Sequence, residues 1–143
     1  KASGKAEKDH ESILDDVPVH FPALLEGLKL TKKAAKVGFD WENAEQVWAK
    51  VEEEIHEFRT EVKAENDDRA GEEFGDLLFA LINYARFKNI NPEEALERTN
   101  RKFINRFQYL EQEAASAGKS LQEMSLAEMD VYWEQAKMKE DKK

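Results

Sequence analysis

Apolar residues recur along most of this chain at the three-to-four-residue spacing of helices that bury one face. From Pro22 onward Leu24, Leu25, Leu28, Thr31 and Ala35 predict a first helix, stopped by Gly38, where a left-handed residue after the helix end costs little. After Phe39-Asp40-Trp41, Asn43 is placed to cap a second helix, with Gln46 three residues on as its reciprocal partner. The stripe of that helix is Ala44, Val47, Trp48, Val51, Ile55, Phe58 and Val62. Glu53 projects away from the stripe, Glu54 lies on its flank, and Glu57 stands one step further round. Asn66-Asp67-Asp68 breaks this helix and caps a third, roughly Arg69 to Lys88. From Leu77 to Phe87 the third helix is apolar nearly all the way round, which predicts a central, buried position. One line along it is different: Glu73, Asp76, Ala80 and Asn83. Gly71 and Gly75, one turn apart, would let another helix approach closely, at about 1 kcal/mol each in lost helix propensity.

Asn91-Pro92-Glu93-Glu94 is a helix start with cap, first-turn proline and capping-box glutamate. The fourth helix is expected to bury Leu96, Thr99, Phe103, Phe107, Leu110 and Ala114 and to end at Gly118. Ser125 with Glu128 caps a shorter fifth helix carrying Leu126, Met129 and Trp133. The predicted fold is all-α, a four- to five-helix bundle-type domain with short links. Residues 1–17 are polar without a sustained period and read as a flexible leader or interdomain linker. The domain is expected over 18–138, and 139–143 as a solvated tail.

Composition narrows the function classes. At 143 residues and 16.6 kDa the chain is most simply one domain with a real core. Its 41% hydrophobic and 37% charged residues, with six Gly and three Pro, fit a helical protein and are too apolar for disorder. The absence of cysteine excludes a disulfide scaffold and thiolate metal sites, and is compatible with a reducing cytoplasm. No apolar run approaches the roughly 20 residues of a membrane span. A pI near 5 argues against a general nucleic-acid binder, because phosphate backbones are held by positive surfaces. The chain starts at Lys1 without a methionine and reads as a piece of something longer. Charge is unevenly spread. Between Glu52 and Asp76, eleven carboxylates against three basic residues leave −8 of the chain's −9. The stretch is either a solvated helical hairpin or a site for cations.

Placing the charges on helices separates those readings. Glu54 and Glu57 are three apart on the second helix, and Glu73 and Asp76 three apart on the third, so each pair shares a face. A short connection makes the two helices antiparallel and able to bring the pairs together. Four carboxylates so placed repel one another unless a cation neutralises them, and an all-oxygen set suits Mg²⁺ or Mn²⁺. The bland account is a solvated glutamate face, weakened by the second pair's place on the most apolar helix. Lys50 precedes Glu54 by four, Arg69 precedes Glu73 by four, and Lys102 and Arg106 are four apart. These are either helix ion pairs or, with hard cations beside them, a polyphosphate site. Lys-before-Glu is the poorer orientation for helix pairs, which favours the second account. Asn83 is a sugar or base contact or a buried amide satisfying the backbone. Trp41 and Trp133 are stacking platforms or core. Glu53-x-x-His56 has the spacing of di-iron bundles, but that class needs the motif twice, and Asp76 has no partner histidine. With no glycine-rich phosphate loop and no Ser or Cys nucleophile context, the catalyst must be metal plus water, with a carboxylate as base.

Glu53-Glu54-x-x-Glu57 followed by Glu73-x-x-Asp76 resembles the signature of the MazG-type, all-α nucleoside triphosphate pyrophosphohydrolases. The resemblance runs over about residues 17 to 138 and takes in the approach segment through Phe39-Asp40-Trp41. It continues through Gly75-Asp76-Leu77-Leu78-Phe79-Ala80, Asn100-Arg101-Lys102-Phe103, Arg106-Phe107 and Trp133. The approach segment is similar to the second of the two units in longer bacterial MazG proteins. The resemblance implies Mg²⁺-dependent hydrolysis of nucleoside triphosphates to monophosphate and pyrophosphate, by water attack at the α-phosphorus, in a cytoplasmic homodimer or higher oligomer. It implies Glu54, Glu57, Glu73 and Asp76 as metal ligands and, with Glu53, as the catalytic set. Lys50, Glu53, Glu54, Arg69, Glu72, Asp76, Asn83, Lys102, Arg106 and Trp133 would contact substrate. No residue encodes an obvious base-edge reader, so broad specificity for ribo- and deoxyribonucleotides is expected. The alternative is a domain that keeps the fold and binds a nucleotide or partner without hydrolysis.

Overall fold

A computed structural model describes residues 11–141, and they form five α-helices joined by short turns, with no strand among them. Helix α1 is Ala23–Lys36, α2 Ala44–Lys63, α3 Asp67–Phe87, α4 Pro92–Ser116 and α5 Leu126–Asp141, with a 3₁₀ turn at Leu121–Glu123 before α5. The chain divides into two compact units, one up to Ala95 and one from Leu96 onward. The all-α class expected from the sequence stands.

Local chemistry sets the boundaries. Gly38 follows α1 with φ +92°, the left-handed conformation its position requires. Asn43 Oδ1 accepts from the Gln46 N–H at 3.0 Å. Gln46 Oε1 accepts in turn from the Glu42 N–H at 2.8 Å, one residue earlier than the expected partner. Asn66 caps α3 by accepting from the Arg69 N–H, so Asp67 and Asp68 fall inside the first turn, where the helix dipole favours them. Asn91 Oδ1 accepts from the Glu93 and Glu94 N–H groups at the start of α4. Ser125 and Glu128 exchange the two hydrogen bonds of a capping box.

In the first unit α3 packs against both α1 and α2. Leu28, Val47, Val51, Ala80 and Ile82 are buried there. Gly27 admits the closest approach: a Cβ on it would lie 3.3 Å from Ile82 Cδ1. Gly71 and Gly75 face open space, so neither receives a neighbouring helix within the described chain. Nor is α3 buried all round. Phe74, Leu78, Phe79 and Leu81 are more than a third exposed, because α1 and α2 cover one side of the helix only. Trp48 against Tyr84 at 5.1 Å and Phe58 against Phe74 at 5.4 Å fix the antiparallel register of α2 and α3. That register sets Glu54 and Glu57 at the level of Glu73 and Asp76.

The second unit closes Leu110, Ala114 and Met124 into a core, with Phe107, Leu121, Met129 and Tyr132 packed around it. Only the later part of α4 is covered; Leu96, Thr99 and Phe103, expected inside, are exposed. Helix α5 continues through Asp141, into the stretch read from the sequence as a tail. Ahead of α1, the chain turns after Ser12, whose N–H donates to Asp15. Val17 is buried there, and Asp16 pairs with Lys33. Residues 1–10 of the expected leader, and 142–143, lie outside the described residues.

Candidate metal and phosphate site

The α2–α3 register gathers the four carboxylates predicted from spacing. Carboxylate oxygens of Glu54, Glu73 and Asp76 lie within 4.8 Å of one another, and so do those of Glu53, Glu54 and Glu57. Glu54 belongs to both groups and is the most enclosed, at 5% exposure. Its Oε2 sits 3.1 Å from Lys50 Nζ, which also bridges to Glu53 Oε2 at 3.1 Å. Its Oε1 is buried and has no hydrogen-bond partner; Glu73 Oε1 is in the same condition.

These orphaned oxygens matter because a buried acceptor without a partner costs roughly 1–3 kcal/mol. Burial raises the Glu73 carboxyl above its ordinary value, and a hydrogen bond with Glu57 and the charges of Glu57, Asp76 and Glu54 add to the effect. Lys50 is held above the usual lysine range by its hydrogen bonds to Glu54 and then Glu53. One ammonium thus faces a concentration of carboxylates it cannot neutralise. The donor set is all oxygen, it comes from two helices, and it contains two acceptors with nothing to accept from. Those features fit a hard divalent cation held by Glu54, Glu57, Glu73 and Asp76. His56 is in neither carboxylate group, and the di-iron reading has no support.

Beside the carboxylates is a cavity of about 380 Å³, whose walls include Lys50, Glu54, Asp76, Phe79 and Asn83. Asn83 is buried, and its Oδ1 accepts from Arg86 Nε at 3.0 Å and Nη2 at 2.8 Å, so its partner is a side chain and not the backbone. Arg69 stands away from this group: it is exposed and pairs with Glu61 at 3.6 Å across the α2–α3 turn. Glu72 is exposed on α3. In the second unit Lys102 is exposed, while Arg106 is engaged by Glu140, Nη2 to Oε1 at 2.7 Å, and lies over the Trp133 ring. Trp133 packs on Phe103, with ring centres 5.2 Å apart. The residues that spacing missed are Asp40, Phe79 and Arg86. Arg86 follows Asn83 by three on α3, a signal present in the sequence, but its bidentate pairing with Asp40 spans 46 residues and leaves no local pattern.

Residues 42–110 match the family described as the MazG nucleotide pyrophosphohydrolase domain, a stretch that contains Lys50, all four carboxylates, Asn83, Lys102 and Arg106. Over 137 residues, 96% of its length, the chain is 39% identical to the nucleoside triphosphate pyrophosphohydrolase/pyrophosphatase MazG of Thermotoga maritima, covering 52% of that protein. It is 40% identical over 142 residues to the nucleoside triphosphate pyrophosphohydrolase of Escherichia coli K12, covering 98% of this chain and 54% of the relative. It is also 52% identical over 136 residues, 93% of its length, to protein YabN of Bacillus subtilis, covering 28% of that protein. The chain therefore spans about half the length of the first two relatives. Its helices, its paired carboxylates and this similarity along nearly all of its length agree: residues 42–110 match the MazG nucleotide pyrophosphohydrolase domain, and the chain is similar to about half of each of two MazG-type relatives.

Proposed function

We propose that this chain hydrolyses nucleoside triphosphates, ribo and deoxyribo and with broad base tolerance, to the monophosphate and pyrophosphate, using Mg²⁺ or Mn²⁺. The observation that carries this reading is the pair of buried, partnerless oxygens on Glu54 and Glu73 within a two-helix carboxylate group inside the stretch that matches the MazG domain. Glu54, Glu57, Glu73 and Asp76 would hold the cation. When bound, it supplies positive charge to phosphate oxygens and lowers the pKa of water.

The chain's own residues do the rest. The cavity beside Glu54 and Asp76 admits the triphosphate, and Lys50 on its wall donates to a phosphate oxygen. To do so Lys50 gives up one of its two carboxylate partners, and Glu53, the exposed one, is the weaker hold. Glu53, once released, orients the attacking water and accepts its proton at a carboxylate oxygen. The water oxygen bonds to the α-phosphorus, the bond from that phosphorus to the α–β bridging oxygen breaks, and pyrophosphate leaves. Arg69, Glu72, Lys102, Arg106 and Trp133 remain assigned to substrate through the family resemblance. For Arg106 that means exchanging the Glu140 carboxylate for a phosphate. The uncovered apolar side chains of α3 support a homodimer, since exposed apolar patches mark association surfaces. The need for a nucleotide pool and free Mg²⁺ favours the cytoplasm as the setting of the reaction.

The test is pyrophosphate release from a panel of common ribo- and deoxyribonucleoside triphosphates, with and without Mg²⁺. Turnover is expected on all of them, and Glu54→Gln or Asp76→Asn abolishes it while far-UV circular dichroism is unchanged. Near-normal activity in either variant defeats the ligand assignment. Nucleotide binding without hydrolysis by the parent protein would establish the inactive binding domain instead. More than about tenfold preference for one base would contradict broad specificity.

A further inference from the structure

Helix α1 lines a cavity on each of two faces. Leu30, Thr31 and Ala34 line one of about 560 Å³, larger than the cavity beside the carboxylates, with Phe79 and Arg86 contributed by α3. Lys29, Lys32, Lys33 and Lys36 line another, about 410 Å³, whose remaining walls are Asp16, Val17, Pro18 and Phe21. Its volume is ordinary for a small-molecule site, roughly 300–1,000 Å³. Among the described residues Asp16 is the only carboxylate on its wall, and Lys33 already holds it. Lys29, Lys32 and Lys36 have neither a hydrogen bond nor an ion pair within the described residues, in a chain whose 31 acidic residues could have supplied partners. The cluster has plain structural uses. Cations in the last turn of a helix suit its dipole, which accounts for Lys33 and Lys36. Lysine stems also cover apolar surface such as Val17 and Phe21. Neither use explains Lys29 and Lys32. They place like charges four residues apart, at Lys29–Lys33 and Lys32–Lys36, an arrangement that destabilises a helix standing alone.

We propose that this lysine-lined cavity binds a compact polyphosphate anion, pyrophosphate or the phosphate tail of a nucleotide, on Lys29, Lys32 and Lys36 and without a metal ion. A lysine ammonium is a point charge with three donors, and phosphate oxygens accept from it without demanding a fixed fork of donors. Helix spacing sets the three lysines over two turns of α1, so that together they meet an anion whose own charges lie close together. The anion in turn removes the repulsion the ammoniums impose on the helix. A net charge of −9 repels an extended polyanion, whereas a small one is enclosed among positive charges, which favours a compact ligand over nucleic acid. The cavity differs in kind from the carboxylate group, where a cation must come first. Here the protein itself supplies the positive charge. The site is independent of the proposed hydrolysis and holds its anion even in a chain that hydrolyses nothing.

The experiment is calorimetric titration of the full chain with inorganic pyrophosphate, in chelator, so that no divalent ion can recruit the anion to the carboxylates. One equivalent is expected to bind, more weakly as salt is added. A protein carrying Lys29→Gln, Lys32→Gln and Lys36→Gln together, all exposed positions on a helix that glutamine suits, is expected to lose more than about tenfold in affinity while its far-UV circular dichroism is unchanged. Lys63→Gln, an exposed lysine at the end of α2, and Glu54→Gln are expected to bind as the parent does. Tripolyphosphate and ATP separate the two sources of the anion. Equal affinity supports a site for phosphates alone, and tighter ATP binding that Phe21→Ala reverses supports a nucleotide lying against the apolar wall. The inference is overturned if the parent binds no pyrophosphate at about 1 mM, or if the folded triple variant binds it as the parent does. It is equally overturned if Lys50→Gln or Lys102→Gln is the change that abolishes binding, or if an oligonucleotide or a glutamate-rich peptide binds and pyrophosphate does not. Hydrolysis of nucleoside triphosphates without pyrophosphate binding in chelator defeats this inference and leaves the function standing. Binding in chelator without any hydrolysis does the reverse.

Discussion

Glu54 has two oxygens with opposite fates: one is held by Lys50 and the other is buried with nothing to accept from. The same imbalance governs Glu73, whose carboxyl is raised by burial and by the neighbouring carboxylates. Glu73→Gln removes one of the repelling charges. It is therefore expected to raise the melting temperature of the protein in chelator at neutral pH and to abolish turnover with Mg²⁺. A drop in that melting temperature would show the carboxylates are not in conflict. Asp40 gives the pH dependence. Its hydrogen bonds from Arg86 hold its carboxyl below the ordinary aspartate value of 3.8. A depressed carboxylate stabilises the fold above its unfolded value, and that contribution is lost as pH falls through the folded one. Asp40→Ala is expected to cost about 1–2 kcal/mol at neutral pH, between an exposed pair and a buried one. The deficit should shrink as denaturation is followed below pH 3.8. At this scale the sequence told which carboxylates share a helix face, because three-residue spacing is local. It could not tell that Asn83 would turn to a side chain.

Helix boundaries are decided by single residues. Asn43→Ala should cost about 1 kcal/mol, read by urea denaturation, because the Gln46 N–H loses its acceptor at the start of α2. The caps were legible for the same reason: donor and acceptor lie within four residues, and the side chains able to bridge them are few. Faces were less legible. Helix α3 is apolar on nearly every side from Leu77 to Phe87, and a periodicity argument needs a polar side to orient it. The structure orients it through Gly27 on α1, not through its own Gly71 and Gly75. Helix α4 reads as one amphipathic stripe, yet only its later part finds a core. What covers a stripe depends on partners that the stripe itself does not encode.

At the scale of the molecule, two units each carry a core, and Leu110 is 3% exposed in the second. Leu110→Ala is expected to cost about 2–5 kcal/mol of that unit's stability, measured by hydrogen exchange at α4 and α5 amides. With −8 of the −9 net charge between Glu52 and Asp76, Mg²⁺ is expected to stabilise the protein. A cation at a hundred times its dissociation constant should add about 2.7 kcal/mol in a thermal melt, and Glu54→Gln should remove the gain. Charge concentration and helix content were both visible in composition and order. Pairings such as Arg86 with Asp40 and Arg106 with Glu140 were not, since 46 and 34 residues of intervening chain separate the partners. Gly27 joins the scales. One turn before Leu30 and Thr31, it sets how closely α1 lies on α3, and those two helices form opposite sides of the larger cavity. Adding a methyl there obliges Ile82 to give way by a few tenths of an ångström. A substitution outside the carboxylate group would thus reshape the cavity beside it, through the seating of one helix on another.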